Sequence, residues 1–153
     1  ERWTGGASGF EFLHPPAAGQ AEAHARPNSR SCVLHVRAPG GALLLAGDIE
    51  ARDERALLAR GAVPRADVLL VPHHGSATSS SPAFVAAARP AHAVFATGYR
   101  NRFGHPKAEV AARYAAAGAA LWRTDRDGAV TITLTGAGVR VSSFRDAHRR
   151  YWR

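Results

Sequence analysis

Residues 66–76, which read Ala66-Asp67-Val68-Leu69-Leu70-Val71-Pro72-His73-His74-Gly75-Ser76, constrain this chain more than any other stretch. An unbroken apolar run between Asp67 and Pro72 is the pattern of a strand buried on both faces, and burial on both faces fixes its carboxyl end. Pro72 cannot extend a ladder of backbone hydrogen bonds and Gly75 permits a tight turn. His73 and His74 are therefore expected on the rim of a sheet, where open α/β folds collect their ligands.

A second apolar run, residues 42–46, ends in Gly47-Asp48-Ile49-Glu50 and is followed by a helical stretch. Two buried strands that deliver Asp48 and His73 or His74 to one edge would build a metal site rich in oxygen and nitrogen. Eight histidines in 153 residues also make an accidental pair an ordinary event, since half-buried histidines are common. The competing role for Asp48 is a turn-capping carboxylate ahead of a helix at Ala51.

The rest of the pattern is that of one domain over residues 1–153. Residues 10–13 alternate as a short strand, and residues 15–30, with Pro15, Pro16 and Gly19, read as a loop. Residues 32–36 and 42–46 form a hairpin about Pro39-Gly40-Gly41. A helix over 51–60 stops at Gly61, and Ser81-Pro82 opens another over 83–88. A strand over 91–97 leads through the polar loop 98–105 to a helix that starts at Pro106 and halts at Gly118. Strands at 120–123, 130–134 and 139–143 follow, the last two an antiparallel hairpin, and the basic tail 145–153 is expected to be helical or a solvated end. The fold class is α/β (α+β), a mixed sheet with helices on one side and a carboxyl-terminal hairpin.

A net charge of +8, from 20 basic against 12 acidic residues, points to a polyanion or an anionic surface as partner. An arginine- and alanine-rich composition of genomic origin would give the same excess. No window of about 18 apolar residues spans a membrane and no leader-like segment opens these residues. The single Cys32 excludes an internal disulfide and reads as a small core residue. His14, His24, His35, His92 and His148 lack partners in sequence and read as structural or surface residues. Ser76 beside His74 lacks the strained elbow of a serine hydrolase. Ser76 and Ser79 to Ser81 instead offer hydroxyls and helix amides to phosphate oxygens.

Taken together, Asn28-Ser29-Arg30-Ser31-Cys32, Gly47-Asp48-Ile49-Glu50, Pro72-His73-His74-Gly75-Ser76, Thr78-Ser79-Ser80-Ser81, the loop from Gly98 to Pro106 and Arg123-Thr124-Asp125 form a set in fixed order and spacing. That set resembles the carboxyl-terminal metallo-β-lactamase-like domain of the ComEC family of DNA-uptake competence proteins, over most of the chain. The resemblance implies an αββα sandwich, of which the chain would be the second half, attached to a transmembrane channel region of the same polypeptide on the periplasmic or external face. It implies a nuclease that degrades DNA during uptake, with two divalent ions, zinc or manganese, in the complete domain. Carried over, Asp48 is the bridging aspartate, His73 or His74 a strand-end ligand or catalytic residue, and His105 the last histidine ligand. The family's amino-terminal His/Asp-rich ligand loop is not found in these residues, so this portion alone would hold metal weakly or not at all. Arg100, Asn101, Arg102 and Lys107 around His105, with Ser76, are the expected DNA contacts. The alternatives are a non-catalytic module that guides DNA and a metallo-hydrolase with another substrate.

Overall fold

The computed structural model describes residues 1–16 and 26–148. Seven strands form one sheet in the order of the chain: β1 (Arg2–Gly5), β2 (Ser8–His14), β3 (Val33–Ala38), β4 (Gly41–Leu45), β5 (Val68–Leu70), β6 (His92–Phe95) and β7 (Ala120–Arg123). The first four run antiparallel to their neighbours and β4 to β7 run parallel. The sheet is therefore mixed, as the strand and helix pattern predicts.

Parallel neighbours need crossovers, and these are α1 (Ala51–Ala59), α2 (Pro82–Ala88) and α3 (Ala108–Ala116). Each crossover steps one strand in the same direction, so a common right-handed turn stacks all three helices on one face. Beneath them Leu44, Leu69 and Ala93 lie in register across β4, β5 and β6, packed with Leu57, Phe84, Val85, Val110 and Tyr114, all fully or almost fully buried. Topology also places the loops that leave β4, β5 and β6 at a single edge, the carboxyl ends of the parallel strands.

The second face carries the rows Phe10, Val36, Leu43, Val68 and Phe12, Leu34, Leu45, Leu70, Val94. Val68 and Val94 are buried, whereas Trp3 and Phe10 towards the β1 edge are 47% and 37% exposed. A separate antiparallel pair, β8 (Val130–Thr135) and β9 (Gly138–Ser143), packs on β4. Its alternation leaves Val130, Ile132 and Leu134 half-buried and the intervening threonines exposed. The approach is close enough that a Cβ on Gly40 would fall 1.8 Å from the Thr135 carbonyl oxygen, so only glycine serves there. Helices, large sheet and small sheet make a partial α+β sandwich.

Several details differ from the sequence reading. Trp3 belongs to a strand of its own, β1, which pairs with β2 through a turn at Gly6 and an Arg2–Glu11 ion pair of 2.6 Å. Cys32 is exposed rather than part of the core, because it precedes β3 and Val33 takes the inward position. Within the expected loop, Pro27–Arg30 makes one 3-10 turn, while 17–25, with His24, lie outside the described residues. Two further helices of four residues each, α4 (Thr124–Asp127) and α5 (Phe144–Ala147), flank the hairpin, and the tail beyond 148 also lies outside.

Candidate functional site

Asp48 sits in the loop after β4, where its N–H donates to Ser31 Oγ at 3.1 Å. It does not cap α1. That position belongs to Glu50, whose carboxylate and the Asp53 carboxylate exchange bonds with each other's backbone N–H in a capping box. Asp48 is thereby left free for chemistry at the rim.

The loop after β5 begins in a single 3-10 turn, Pro72–Gly75, inside which His73 and His74 both take left-handed backbone angles, with φ of +49° and +57°. Gly75 follows at φ +80°, and a Cβ on it would lie 2.7 Å from Pro106 Cβ and 2.8 Å from Phe95. Left-handed β-carbon-bearing residues cost about 1–3 kcal/mol each and collect at functional sites. Two in succession swing both imidazoles onto the rim, and the His73 N–H anchors the turn on the Gly47 carbonyl at 2.9 Å, beside Asp48.

His74 Nδ1 lies 2.8 Å from the Ala96 carbonyl oxygen and Nε2 lies 3.5 Å from Asp48 Oδ1. A carbonyl only accepts, so Nδ1 carries a proton, and in its neutral form the ring turns the Nε2 lone pair to a carboxylate, which is also an acceptor. Two acceptors converging in this way are matched to a cation between them. The backbone bond at Nδ1 is the usual support of a metal-binding imidazole. His73 is held similarly: Thr78 Oγ1 donates to Glu50 Oε1 at 3.2 Å, and His73 Nδ1 lies 3.3 Å from that hydroxyl and 3.5 Å from the same carboxylate oxygen. The His73 ring centroid lies 6.3 Å from that of His74 and 6.1 Å from that of His105.

His105 is half-buried, its ring stacked on Phe103 at 5.8 Å, and its Nδ1 is buried without a hydrogen-bond partner. Burial, followed by the nearby Lys107 charge and by His73 and His74, holds its pKa below the ordinary histidine value, so the ring is neutral near pH 7. Asp48, His73, His74 and His105 thus gather at one edge. The donor set fits one side of a metal shell, with Asp48 and His74 as its convergent pair. Among the described residues no group of three or more His, Cys, Asp or Glu closes around a single point.

The expected DNA contacts divide. Ser76 is buried and its Oγ is engaged with Thr78 Oγ1 at 3.1 Å. Asn101 turns inward, donating to the His105 carbonyl and accepting its N–H, both at 2.8 Å. Lys107 Nζ donates to the Phe103 carbonyl at 2.8 Å. Arg100 and Arg102 are exposed. Ser79 and Ser80 are buried, and the Ser80 and Ser81 N–H groups donate to the Glu54 carboxylate, which is itself fully buried. The amides expected to meet phosphate are already taken by an internal anion.

Sequence reasoning left Glu50, Thr78 and the Thr97 network unassigned. Thr97 N–H donates to Thr124 Oγ1 at 2.8 Å, Thr97 Oγ1 donates to Asp125 Oδ1 at 2.9 Å, and Arg123 grips both Asp125 oxygens. Arg123-Thr124-Asp125 therefore pins the backbone on either side of Ala96, whose carbonyl sets the His74 tautomer. The signal for this was a carboxylate placed just after a strand, Asp125 after β7, as Asp48 follows β4.

The chain is 39% identical to competence protein ComA of Neisseria gonorrhoeae, over 99% of its own length and 21% of that protein's. It is 31% identical to ComE operon protein 3 of Bacillus subtilis, over 79% of the chain and 15% of the relative. Recombination protein 2 of Haemophilus influenzae is 37% identical, over 78% of the chain and 14% of its own length. The chain belongs to the ComEC family of competence proteins. It spans about a fifth or less of the ComEC-family relatives it matches. No family model matches it. Among the described residues no helix is long and apolar enough to cross a membrane.

Proposed function

We propose that this ComEC-family segment forms the carboxyl-terminal side of a metallo-β-lactamase-like phosphodiesterase centre that degrades DNA during uptake. The observation that carries the reading is His74 Nε2 held 3.5 Å from the Asp48 carboxylate on the sheet rim, with Nδ1 occupied by the Ala96 carbonyl. Bound divalent ions, zinc or manganese, would supply an activated water and neutralise the charge that develops on the phosphate. Asp48 and His74 hold such an ion from one side, His73 and His105 lie one ring away, and the remaining ligands come from polypeptide outside these residues. The half-buried His73 and His105 line one flank of the pair. Arg100 and Arg102 draw in the polyanion. The membrane-embedded remainder of the protein receives the surviving strand, which puts the centre on the periplasmic or external face.

The test is hydrolysis of end-labelled DNA by the full-length protein with manganese or zinc and with EDTA. Cleavage is expected only with metal, and Asp48→Asn lowers it by about 100-fold or more while the circular dichroism spectrum is unchanged. One observation favours a second reading, a module that only guides DNA: the described residues close no group of three ligands. Binding of DNA by the full-length wild type with no cleavage under any metal would select it.

A further inference from the structure

The loop between β6 and α3 exposes two aromatic rings that the fold does not need. Tyr99 is 70% exposed and Phe103 60%, the two most exposed large apolar side chains among the described residues. Each carries an arginine: the Arg100 guanidinium carbon lies 5.2 Å from the Tyr99 ring centroid and that of Arg102 lies 4.9 Å from the Phe103 centroid. The loop is also held in shape. Asn101 brackets the His105 backbone, the Gly104 N–H reaches the Asn101 carbonyl at 3.1 Å, and Lys107 bonds Phe103 through its side chain and Gly75 through its N–H. Rings fixed in solvent lose little entropy when a flat ligand settles on them.

We infer that Tyr99 and Phe103, with Arg100 and Arg102, form a base-stacking platform for unpaired nucleotides. Only single strands or frayed ends present free base faces, because in a duplex the faces are stacked on one another. The guanidinium groups that lie over the ring faces swing aside when a base takes their place and meet the phosphates between stacked bases. The position agrees with this use. Phe103 stacks on His105 at 5.8 Å, His105 lies 6.1 Å from His73 and His73 6.3 Å from His74, so a ladder of rings runs from the platform to the Asp48 pair. The inference rests on the proposed phosphodiester centre for its purpose, and adds that the strand handed to it is single.

The test is fluorescence anisotropy of this chain with a labelled oligo(dT) of about 15 nucleotides and with a duplex of the same length, in EDTA and at two salt concentrations. The pair Tyr99→Ala and Phe103→Ala is expected to weaken oligo(dT) binding by about tenfold or more and duplex binding by less than about twofold. Arg100→Ala with Arg102→Ala weakens both and flattens the salt dependence. Tyr99→Leu with Phe103→Leu keeps apolar bulk without a stacking face, and behaves like the alanine pair if the platform exists; Phe103→Trp retains binding. Wild-type affinity in the aromatic variants, equal loss for both DNAs, or no oligo(dT) binding by the wild type overturns the platform. Because EDTA removes hydrolysis from the measurement, a failed nuclease assay leaves this result standing, and a failed platform leaves the nuclease assay standing.

Discussion

At the scale of single residues, the rim is made by a few backbone positions that ordinary residues avoid. Gly75 holds φ +80° against Phe95 and Pro106 with no room for a methyl group. Gly75→Ala is expected to destabilise the fold by about 2–4 kcal/mol, read from urea denaturation, because strain and overpacking combine. Asp48 is the opposite case, partly exposed, with its carboxylate facing His74 Nε2 at 3.5 Å. Asp48→Ala should leave the unfolding free energy in urea within about 0.5 kcal/mol of wild type while removing hydrolysis, and a large loss of stability would make it a structural residue instead. The histidine pair was legible in sequence because Pro72 and Gly75 bracket it. Its tautomers were not, since they depend on the Ala96 carbonyl and Thr78, neither of which announces itself.

At the scale of elements, alternation and caps predicted nearly every strand and crossover helix, because buried parallel strands and glycine-stopped helices write themselves locally. What escaped was tertiary. Glu54 looks like a surface residue of α1, yet it is fully buried and accepts the Ser80 and Ser81 amides that lead into α2, which Ser81 also caps. Glu54→Ala is expected to cost about 3–5 kcal/mol by leaving those amides unpaired, and a loss below about 1 kcal/mol would mean that water replaces the carboxylate. The β7 to β6 clasp gives a pH signature. Arg123's hydrogen bonds, helped by Thr97, hold the Asp125 carboxyl below its ordinary pKa against the opposing effect of burial. A depressed folded pKa stabilises above the unfolded value and is lost as acid protonates the group, so Asp125→Asn should destabilise at pH 7, with the difference from wild type shrinking below about pH 4. A gap that stays constant to lower pH would show that the charge is irrelevant to the clasp.

At the scale of the whole molecule, consecutive right-handed crossovers explain why loops distant in sequence meet. Asp48, the histidine pair and His105 follow three adjacent parallel strands, so the fold itself gathers them. The sheet's second face is apolar and is left open at Trp3 and Phe10. At high concentration the chain should associate through it, and light scattering of Phe10→Lys should return the monomer. The gathered donors set the central claim, that Asp48 and His74 form one side of a metal centre. The most direct measurement is calorimetric titration of the full-length protein with manganese or zinc, beside Asp48→Asn and His74→Ala. Two ions are expected to bind the wild type, with an affinity lower by about 10- to 100-fold or more in each variant; unchanged affinity and stoichiometry in both variants would mean that Asp48 and His74 hold no metal.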